Sequence, residues 1–94
     1  MDKQIIYKVP GGKLLKIFIS IDESKSCINS IMITGDFFAY PEESIEELEQ
    51  ILKQKPLKKQ ELVDTIESFI QTHNVQFIGV DALSLTEAIM ESAP

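Results

Sequence analysis

The chain is short, acidic and free of arginine: 94 residues carry nine lysines against fifteen aspartates and glutamates, a net charge of −6. This length predicts a single domain spanning residues 1–94, with little room for an enclosed active site. An acidic chain without the guanidinium fork argues against nucleic acid and membrane lipid as partners. The N-terminus lacks the apolar segment of a signal peptide, which predicts a cytoplasmic protein.

Three strands are predicted in the first third of the chain. Gln4–Val9 is rich in β-branched residues, and Pro10-Gly11-Gly12 ends it with a turn. Lys13–Asp22 alternates inward isoleucines and leucine with lysine, phenylalanine and serine, which is the period of a strand. Cys27–Thr34 is the third strand. Because the connections are short, we expect neighbouring strands to pair as an antiparallel meander.

Apolar residues also occur away from the main core faces of the second and third strands. We expect Phe18, Ile28 and Met32 to lie there. A sheet with apolar side chains on both faces is usually covered on both. The second cover would be either the protein's own helices or a partner.

The hydrophobic period changes to 3.6 after Phe38, which predicts a first helix. Pro41 suits its first turn, where the missing N–H costs nothing. Ile45, Leu48, Ile51 and Leu52 form its buried stripe. The glutamates at its start lie near the positive end of the helix dipole and favour a solvated face, with a docking surface as the less favoured alternative.

Two further helices and a short extended piece complete the chain. A second helix is predicted from Lys58 to His73, followed by an extended segment, Val75–Val80. Ser84-Leu85-Thr86-Glu87 fits the capping-box pattern at the start of a last short helix. The predicted fold class is therefore α+β, a three-stranded antiparallel meander packed against two longer helices, with a short C-terminal helix.

The residue types give no sign of catalysis or metal binding. His73 is predicted in the last turn of the second helix, where a cation or polar cap is favoured. Cys27 opens a strand, with no helix N-terminus or second cysteine to activate its thiol. Carboxylates are present without an aspartate-rich loop or a histidine pair. We therefore predict no catalytic residue and no metal site.

Pro10-Gly11-Gly12-Lys13 admits two interpretations. The motif lacks the spacing, hydroxyl and following helix of a phosphate-binding loop. Its glycines would allow a ligand or partner to approach the backbone closely, with Lys8, Lys13 and Lys16 as nearby charges. A plain β-turn flanked by lysines is the favoured interpretation.

Asp36-Phe37-Phe38 is the second segment with a candidate role. Two adjacent phenylalanines cannot both point into one face of a sheet, so at least one is exposed or lies under a loop. Aromatic side chains often anchor interfaces. Local packing and contact with a partner are equally compatible with this pattern.

Two segments together carry a resemblance to a known family. Lys8–Lys16 (KVPGGKLLK) and Gly35–Leu52 (GDFFAYPEESIEELEQIL) resemble the C-terminal accessory domain of lipoate–protein ligases. The resemblance is strongest to the stand-alone form found as a small second subunit in archaea and some bacteria. The Gly79-Val80 step and the helix through Ile89 are similar as well.

This resemblance implies a non-catalytic subunit of a two-part, ATP-dependent ligase. A large catalytic subunit would hold ATP, Mg and lipoate, form lipoyl-AMP and pass the lipoyl group to a lysine of an acceptor domain. The present chain would bind no cofactor alone, form a heterodimer with the large subunit, be needed for adenylation and meet the acceptor only indirectly. The candidates for contact with the large subunit or its adenylate site are Lys8, Gly11, Gly12, Lys13, Lys16, Asp36, Phe37 and Phe38.

Two other functions remain as alternatives. Iron–sulfur assembly scaffolds share the α+β plan, but they need several cysteines or one activated cysteine on an exposed loop. A small enzyme would need a pocket with converging polar groups, which the sequence does not indicate. The resemblance leaves open which acceptor is used and whether octanoate replaces lipoate.

Overall fold

The computed structural model describes residues 1–11 and 13–93. Its elements follow one another as five strands and three helices within these residues: β1 Asp2–Lys8, β2 Leu14–Asp22, β3 Cys27–Gly35, β4 Phe38–Tyr40, α1 Ser44–Leu52, α2 Lys59–Thr72, β5 Gln76–Ile78 and α3 Ala82–Met90. The predicted strands and helices are thus present, with β4 in addition.

The first three strands form the predicted antiparallel meander. The strand order is β1-β2-β3, with Ile5 opposite Ile17 and Ile17 opposite Ile33. Alternation along β2 buries every second side chain, as the sequence predicts. Its buried residues are Leu15, Ile17, Ile19 and Ile21.

One residue predicted to lie off the core face is buried. Ile28 has no exposed surface. The register changes between Ser20 and Ile21: Ser20 faces Ser30, but Ile21 faces Ile28. The extra residue of this β-bulge reverses the alternation along β3 and turns Ile28 inward.

The helices cover one face of the sheet. Helix α1 lies along β3, helix α3 lies along β1 and β2, and α2 packs against both helices. Leucines, isoleucines and a phenylalanine on the inner sides of the helices join the inward strand residues in one core: Leu48, Leu52, Leu62, Ile66, Phe69, Leu85 and Ile89. This arrangement confirms the α+β fold class.

The opposite face of the sheet is not covered by any helix of the described chain. Phe18 is 41% exposed there and Met32 is 55% exposed, and the two are opposite each other in the β2–β3 register. Of the two covers considered for the second face, the structure excludes the protein's own described helices and leaves a partner. We call this surface the outer face; it carries the side chains of Asp2, Gln4, Ile6, Lys8, Leu14, Lys16, Phe18 and Met32.

Helix α1 begins later than predicted. Pro41 lies in the turn before the helix, after a cis peptide bond to Tyr40. The backbone N–H of Ser44 donates to the carbonyl of Pro41 at 3.0 Å, and the helix starts at Ser44. The placement of Pro41 in the first helical turn is wrong because this turn precedes the helix.

The capping box of α3 is also displaced from its predicted position. The carboxylate of Asp81 accepts from the backbone N–H of Ser84 at 2.8 Å, and the Ser84 hydroxyl accepts from the backbone N–H of Asp81 at 3.1 Å. Asp81 is therefore the N-cap, and Ser84 occupies the third helical position. Ser84 as N-cap with Glu87 as its partner is wrong.

Strands β4 and β5 form a separate two-stranded ribbon. Strand β5, within the predicted extended segment, pairs antiparallel with β4, and Phe38 faces Ile78. The sequence did not predict β4 because three residues are too few to show a period. No helix within the described residues is long and apolar enough to cross a membrane.

Candidate functional site

The turn between β1 and β2 contains the described residues of the Pro10-Gly11-Gly12-Lys13 motif and is closed by a backbone hydrogen bond. The backbone N–H of Val9 donates to the carbonyl of Lys13 at 2.7 Å. Gly11 has φ +104°, a conformation that favours glycine. Gly12, the other predicted glycine, lies outside the described residues. Lys13 is exposed at the end of the loop.

The exit of β3 is tied to the beginning of β2. The backbone N–H of Asp36 donates to the carbonyl of Leu14 at 2.9 Å. Gly35 has φ +145°, and a Cβ placed on it would lie 2.3 Å from the same carbonyl oxygen. Only glycine allows this approach of two backbones. The connection fixes Asp36 beside the β1–β2 turn.

Gly79, the residue directly after β5, lies against both of these segments. A Cβ on Gly79 would lie 3.3 Å from Cγ of Lys13, 3.4 Å from the carbonyl oxygen of Asp36 and 3.4 Å from Cβ of Phe37. We call these four residues the Gly79 junction. The structure thus brings together Lys13, Asp36 and Phe37 from two distant parts of the sequence. Sequence reasoning missed Gly79 as a site residue, although the Gly79-Val80 step was noticed.

The two adjacent phenylalanines have different environments. Phe37 is half-buried against the core and meets Phe77 edge to face, with ring centroids 6.5 Å apart. Phe38 is 64% exposed. This outcome matches the expectation that one of the pair is exposed, and it separates a packing role for Phe37 from a surface role for Phe38.

Phe38 belongs to an exposed aromatic surface on the β4–β5 ribbon. Its neighbours on that side are Tyr40, 50% exposed, and Ile78, 46% exposed. A depression of about 310 Å³ lies beside it, lined by Phe37, Phe38, Tyr40, Glu42 and Ile45 among others. Because the ribbon carries aromatic groups toward solvent beside a concave surface, it suits contact with another protein.

The remaining lysines of the motif lie on the outer face of the sheet. Lys8 is opposite Leu14, and Lys16 is opposite Ile6, so the two lysines are diagonal neighbours on exposed positions. Neither lysine supplies one of the three atoms nearest to a Cβ on Gly79. They lie on β1 and β2, on either side of the turn that contains Lys13.

His73 and Cys27 have structural surroundings. His73 is the C-cap residue of α2, and its ring centroid lies 4.5 Å from that of Phe69. Its Nε2 lies 3.9 Å from the Glu47 carboxylate. Cys27 is 5% exposed, so it is not the exposed cysteine that a sulfur scaffold requires. Among residues 1–11 and 13–93, no group of three histidine, cysteine or acidic side chains is placed to hold a metal ion.

The fold defines a class: a small α+β domain with a three-stranded antiparallel meander covered on one face by helices. The family model of the bacterial lipoate protein ligase C-terminus matches residues 7–89. The chain therefore belongs to this family, and the resemblance found in the sequence is confirmed. It is a lipoate–protein ligase accessory domain.

A solved structure agrees with this assignment. The chain is similar to one in the structural analysis of an archaeal lipoylation system from Thermoplasma acidophilum, a bi-partite lipoate protein ligase and its E2 lipoyl domain. The two are 28% identical, the match covers 95% of this chain and 94% of that chain, and the TM-score is 0.78. No curated protein matches the chain.

Proposed function

We propose that this chain is the accessory subunit of a two-component lipoate–protein ligase. It would act with a large catalytic subunit in the cytoplasm and be required for ATP-dependent activation of lipoate to lipoyl-AMP. Transfer of the lipoyl group to a lysine of an acceptor domain would follow. The chain itself would supply no catalytic residue.

The observation that carries this proposal is the similarity to the archaeal bi-partite system over nearly the full length of both chains. A match that covers 94% of the other chain means that both are of similar size, so the similar chain is itself small. A domain of this size with a modest core has little room for sites for ATP and lipoate. ATP, Mg and lipoate are therefore assigned to the large subunit.

The surface that we assign to the large subunit has two parts. The Gly79 junction presents Lys13 and Asp36 on a backbone fixed by Gly35 and Gly79. The ribbon presents Phe38 as an exposed aromatic anchor. A rigid scaffold that offers one aromatic group and one cation reduces the ordering cost of binding.

Charge supports the same orientation. Residues 1–34 carry five lysines against three acidic residues, while residues 35–94 carry four lysines against twelve. Three of the five lysines in the first group, Lys8, Lys13 and Lys16, lie in or beside the turn between β1 and β2. These lysines would meet an acidic patch of the large subunit or the phosphates of its nucleotide.

Docking would assist adenylation without adding a reacting group. Covering a neighbouring site expels water and orders mobile loops, which strengthens electrostatic interactions around a developing charge. Gly11, Gly35 and Gly79, all with positive φ, hold the turns that would present this surface. The accessory chain would thus raise the rate of lipoyl-AMP formation by positioning.

The test is lipoate-dependent ATP–pyrophosphate exchange by the large subunit with and without this chain. We expect exchange to depend on the chain, and Lys13→Glu and Phe38→Ala each to weaken complex formation and exchange about 10-fold or more. Phe38 is suited to this test because its exposure separates binding from folding.

Matched controls lie elsewhere on the sheet. Lys25→Glu makes the same charge change in the turn between β2 and β3, at the opposite end of β2 from Lys13. Met32→Ala removes a similarly exposed apolar side chain. Exchange that proceeds equally well without the chain would contradict the function, whereas unchanged binding in both site variants would contradict only the assigned surface.

A further inference from the structure

Strand β1 is an unpaired edge of the three-stranded sheet. The backbone N–H of Ile21 donates to the carbonyl of Met1 at 2.8 Å, and the amine of Met1 donates back to Ile21 at 3.1 Å. At the other end, the N–H of Val9 donates to Lys13. Hydrogen-bonded pairs in an antiparallel ladder recur at every second residue. The N–H and C=O groups of the alternate residues therefore point away from β2: Asp2, Gln4, Ile6 and Lys8.

The other edge of the same sheet, strand β3, is partly covered by helix α1 and the segment after it. The Glu49 carboxylate accepts from the N–H of Ile33 at 2.7 Å. The N–H of Ile28 donates to Lys55 at 2.9 Å, and its carbonyl accepts from Gln54 at 2.6 Å. Within the described part of the chain, no such partner reaches the outward groups of β1. An exposed edge of this kind accepts another strand.

We propose that a second copy of this chain pairs antiparallel with β1, in the register that places Ile5 opposite Ile5 of the other copy. Asp2 then lies opposite Lys8 and Gln4 opposite Ile6, so every outward residue meets another outward residue. A shift by one residue would set outward groups against groups already bonded to β2. A shift by two would leave one end of the ladder unpaired. The β1 sequence is self-complementary in this register.

Charge complements the register on both faces of the joined sheet. On the outer face, Asp2 of each copy meets Lys8 of the other at both ends of the new ladder. On the inner face, Lys3 lies opposite Tyr7 of the other copy. The hydroxyl of Tyr7 donates to Glu87 at 2.8 Å. Lys3 would therefore bring a cation to an acidic surface on α3.

The acidic surface near Tyr7 is more than a single carboxylate. The hydrogen bond to Glu87 raises the pKa of the tyrosine, burial raises it further, and the negative charges of Glu87, Glu91 and Asp81 add to the rise. A lysine placed beside this group reduces the repulsion among these carboxylates. Lys3 is half-buried at the edge of the sheet and lies on the inner face.

Apolar surface on the outer face also favours this pairing. Ile6 is 59% exposed, and in the proposed register it lies across from the stem of Gln4 and diagonal to Ile6 of the other copy. Phe18 and Met32 continue this apolar strip across each sheet. The joined sheet would have six strands and one continuous outer face. Since strand pairing alone buries a small area, we expect weak, concentration-dependent association.

The test is sedimentation velocity of the full chain from about 10 μM to about 1 mM, without the large subunit. We expect the mass to approach that of two chains as the concentration rises. Ile6→Pro removes one outward N–H without touching the ladder to β2 and should give a monomer. Ile6→Val keeps the N–H and the branched side chain and should dimerise. Circular dichroism checks that both variants are folded.

Exchanging the charges of Asp2 and Lys8 tests the register of the two copies without a proline substitution. Asp2→Lys places two lysines opposite each other and should weaken dimerisation about 10-fold, as should Lys8→Asp. The double variant Asp2→Lys/Lys8→Asp restores opposite charges and should recover dimerisation. Recovery is not expected if these residues act independently.

Three results would overturn the proposal. They are a wild-type chain that stays monomeric at about 1 mM, an Ile6→Pro variant that folds and still dimerises, or a double charge variant no tighter than the single ones. If the wild type is monomeric and Ile6→Pro loses binding to the large subunit, the edge belongs to that subunit instead. The proposal does not rest on the ligase function, since the pyrophosphate-exchange assay can succeed or fail separately.

Discussion

The carboxylate of Glu49 in α1 accepts a hydrogen bond at 2.7 Å from the backbone N–H of Ile33 in β3. One side chain thereby links the helix to the edge of the sheet and satisfies a strand donor that has no neighbouring strand. Burial raises the pKa of Glu49 above its ordinary value of 4.5; the Ile33 N–H opposes the rise, and the charge of Glu46 adds to it.

This relationship predicts a pH dependence of stability. A raised carboxyl pKa in the folded state means that the folded protein binds the proton more tightly than the unfolded chain. The contribution of Glu49 is therefore complete below the unfolded pKa and decreases as pH rises through the folded pKa. Glu49→Gln keeps an acceptor for Ile33 and does not ionise. We expect this variant to gain stability relative to wild type as pH rises from about 4 to 7.

Urea unfolding of both proteins at several pH values measures this difference. Glu49→Ala is the matched variant that removes the acceptor, and we expect it to lose about 1 kcal/mol at neutral pH. A difference between wild type and Glu49→Gln that does not change with pH would contradict the role of burial at Glu49.

Gly35 and Gly11 provide a matched pair for the backbone approach at the candidate site. Both have positive φ, so alanine strains the backbone at either position. A Cβ at Gly35 would also meet the carbonyl oxygen of Leu14 at 2.3 Å, while one at Gly11 has no neighbour within 4 Å. We expect Gly35→Ala to lose about 2 to 4 kcal/mol and Gly11→Ala about 1 kcal/mol. Equal losses in thermal or urea unfolding would show that the Leu14 contact does not limit residue 35.

The N-cap of α3 has the opposite pH dependence from Glu49. Hydrogen bonds from the side chain and the backbone N–H of Ser84 lower the pKa of Asp81. Its contribution is therefore present above the unfolded pKa and is lost as pH falls through the folded pKa. We expect Asp81→Ala to lose about 1 kcal/mol at pH 7 and less at pH 3. Asp81→Asn keeps a capping oxygen and should show a smaller dependence on pH, which unfolding at both pH values will measure.

The burial of Cys27 predicts slow reaction with alkylating reagents. Cys27 is the first residue of β3 and is 5% exposed, and its Sγ lies 3.9 Å from the amide oxygen of Gln54. We expect iodoacetamide to label the native protein at neutral pH far more slowly than the protein in denaturant. Rapid labelling of the native chain would revive the sulfur-scaffold alternative.

Periodicity was sufficient for the parts of the fold with long repeating patterns. The alternation in β2 faces the core as predicted, and so does the α1 stripe of Ile45, Leu48, Ile51 and Leu52, of which Ile45 and Ile51 are partly buried. Two errors, at the N-cap of α3 and at Ile28, have different causes. Both Asp81 and Ser84 suit an N-cap, and only the fold shows which side chain reaches the free N–H groups. The bulge that buries Ile28 depends on pairing with β2, which composition does not reveal.

The candidate site was predictable in its parts but not in its arrangement. Lys13 and Asp36-Phe37 were selected from sequence patterns, and the structure places them together. Their common neighbour, Gly79, directly follows β5, which pairs with β4, and each of these strands has only three residues. Since short ribbons are determined by tertiary contacts, no local pattern could predict that these segments meet.

The different surroundings of Phe37 and Phe38 predict that their variants separate stability from binding. Phe37 is half-buried against the core and Phe77, so Phe37→Ala should lose about 1 to 3 kcal/mol of stability. Phe38 is 64% exposed, and Phe38→Ala should change stability by less than about 0.5 kcal/mol. Binding to the large subunit is measured at a temperature at which both variants are folded. We expect Phe38→Ala to lose more affinity than Phe37→Ala. A larger loss of affinity from Phe37→Ala than from Phe38→Ala would contradict the ribbon as the contact surface. A larger loss of stability from Phe38→Ala would contradict the packing role of Phe37 and the surface role of Phe38.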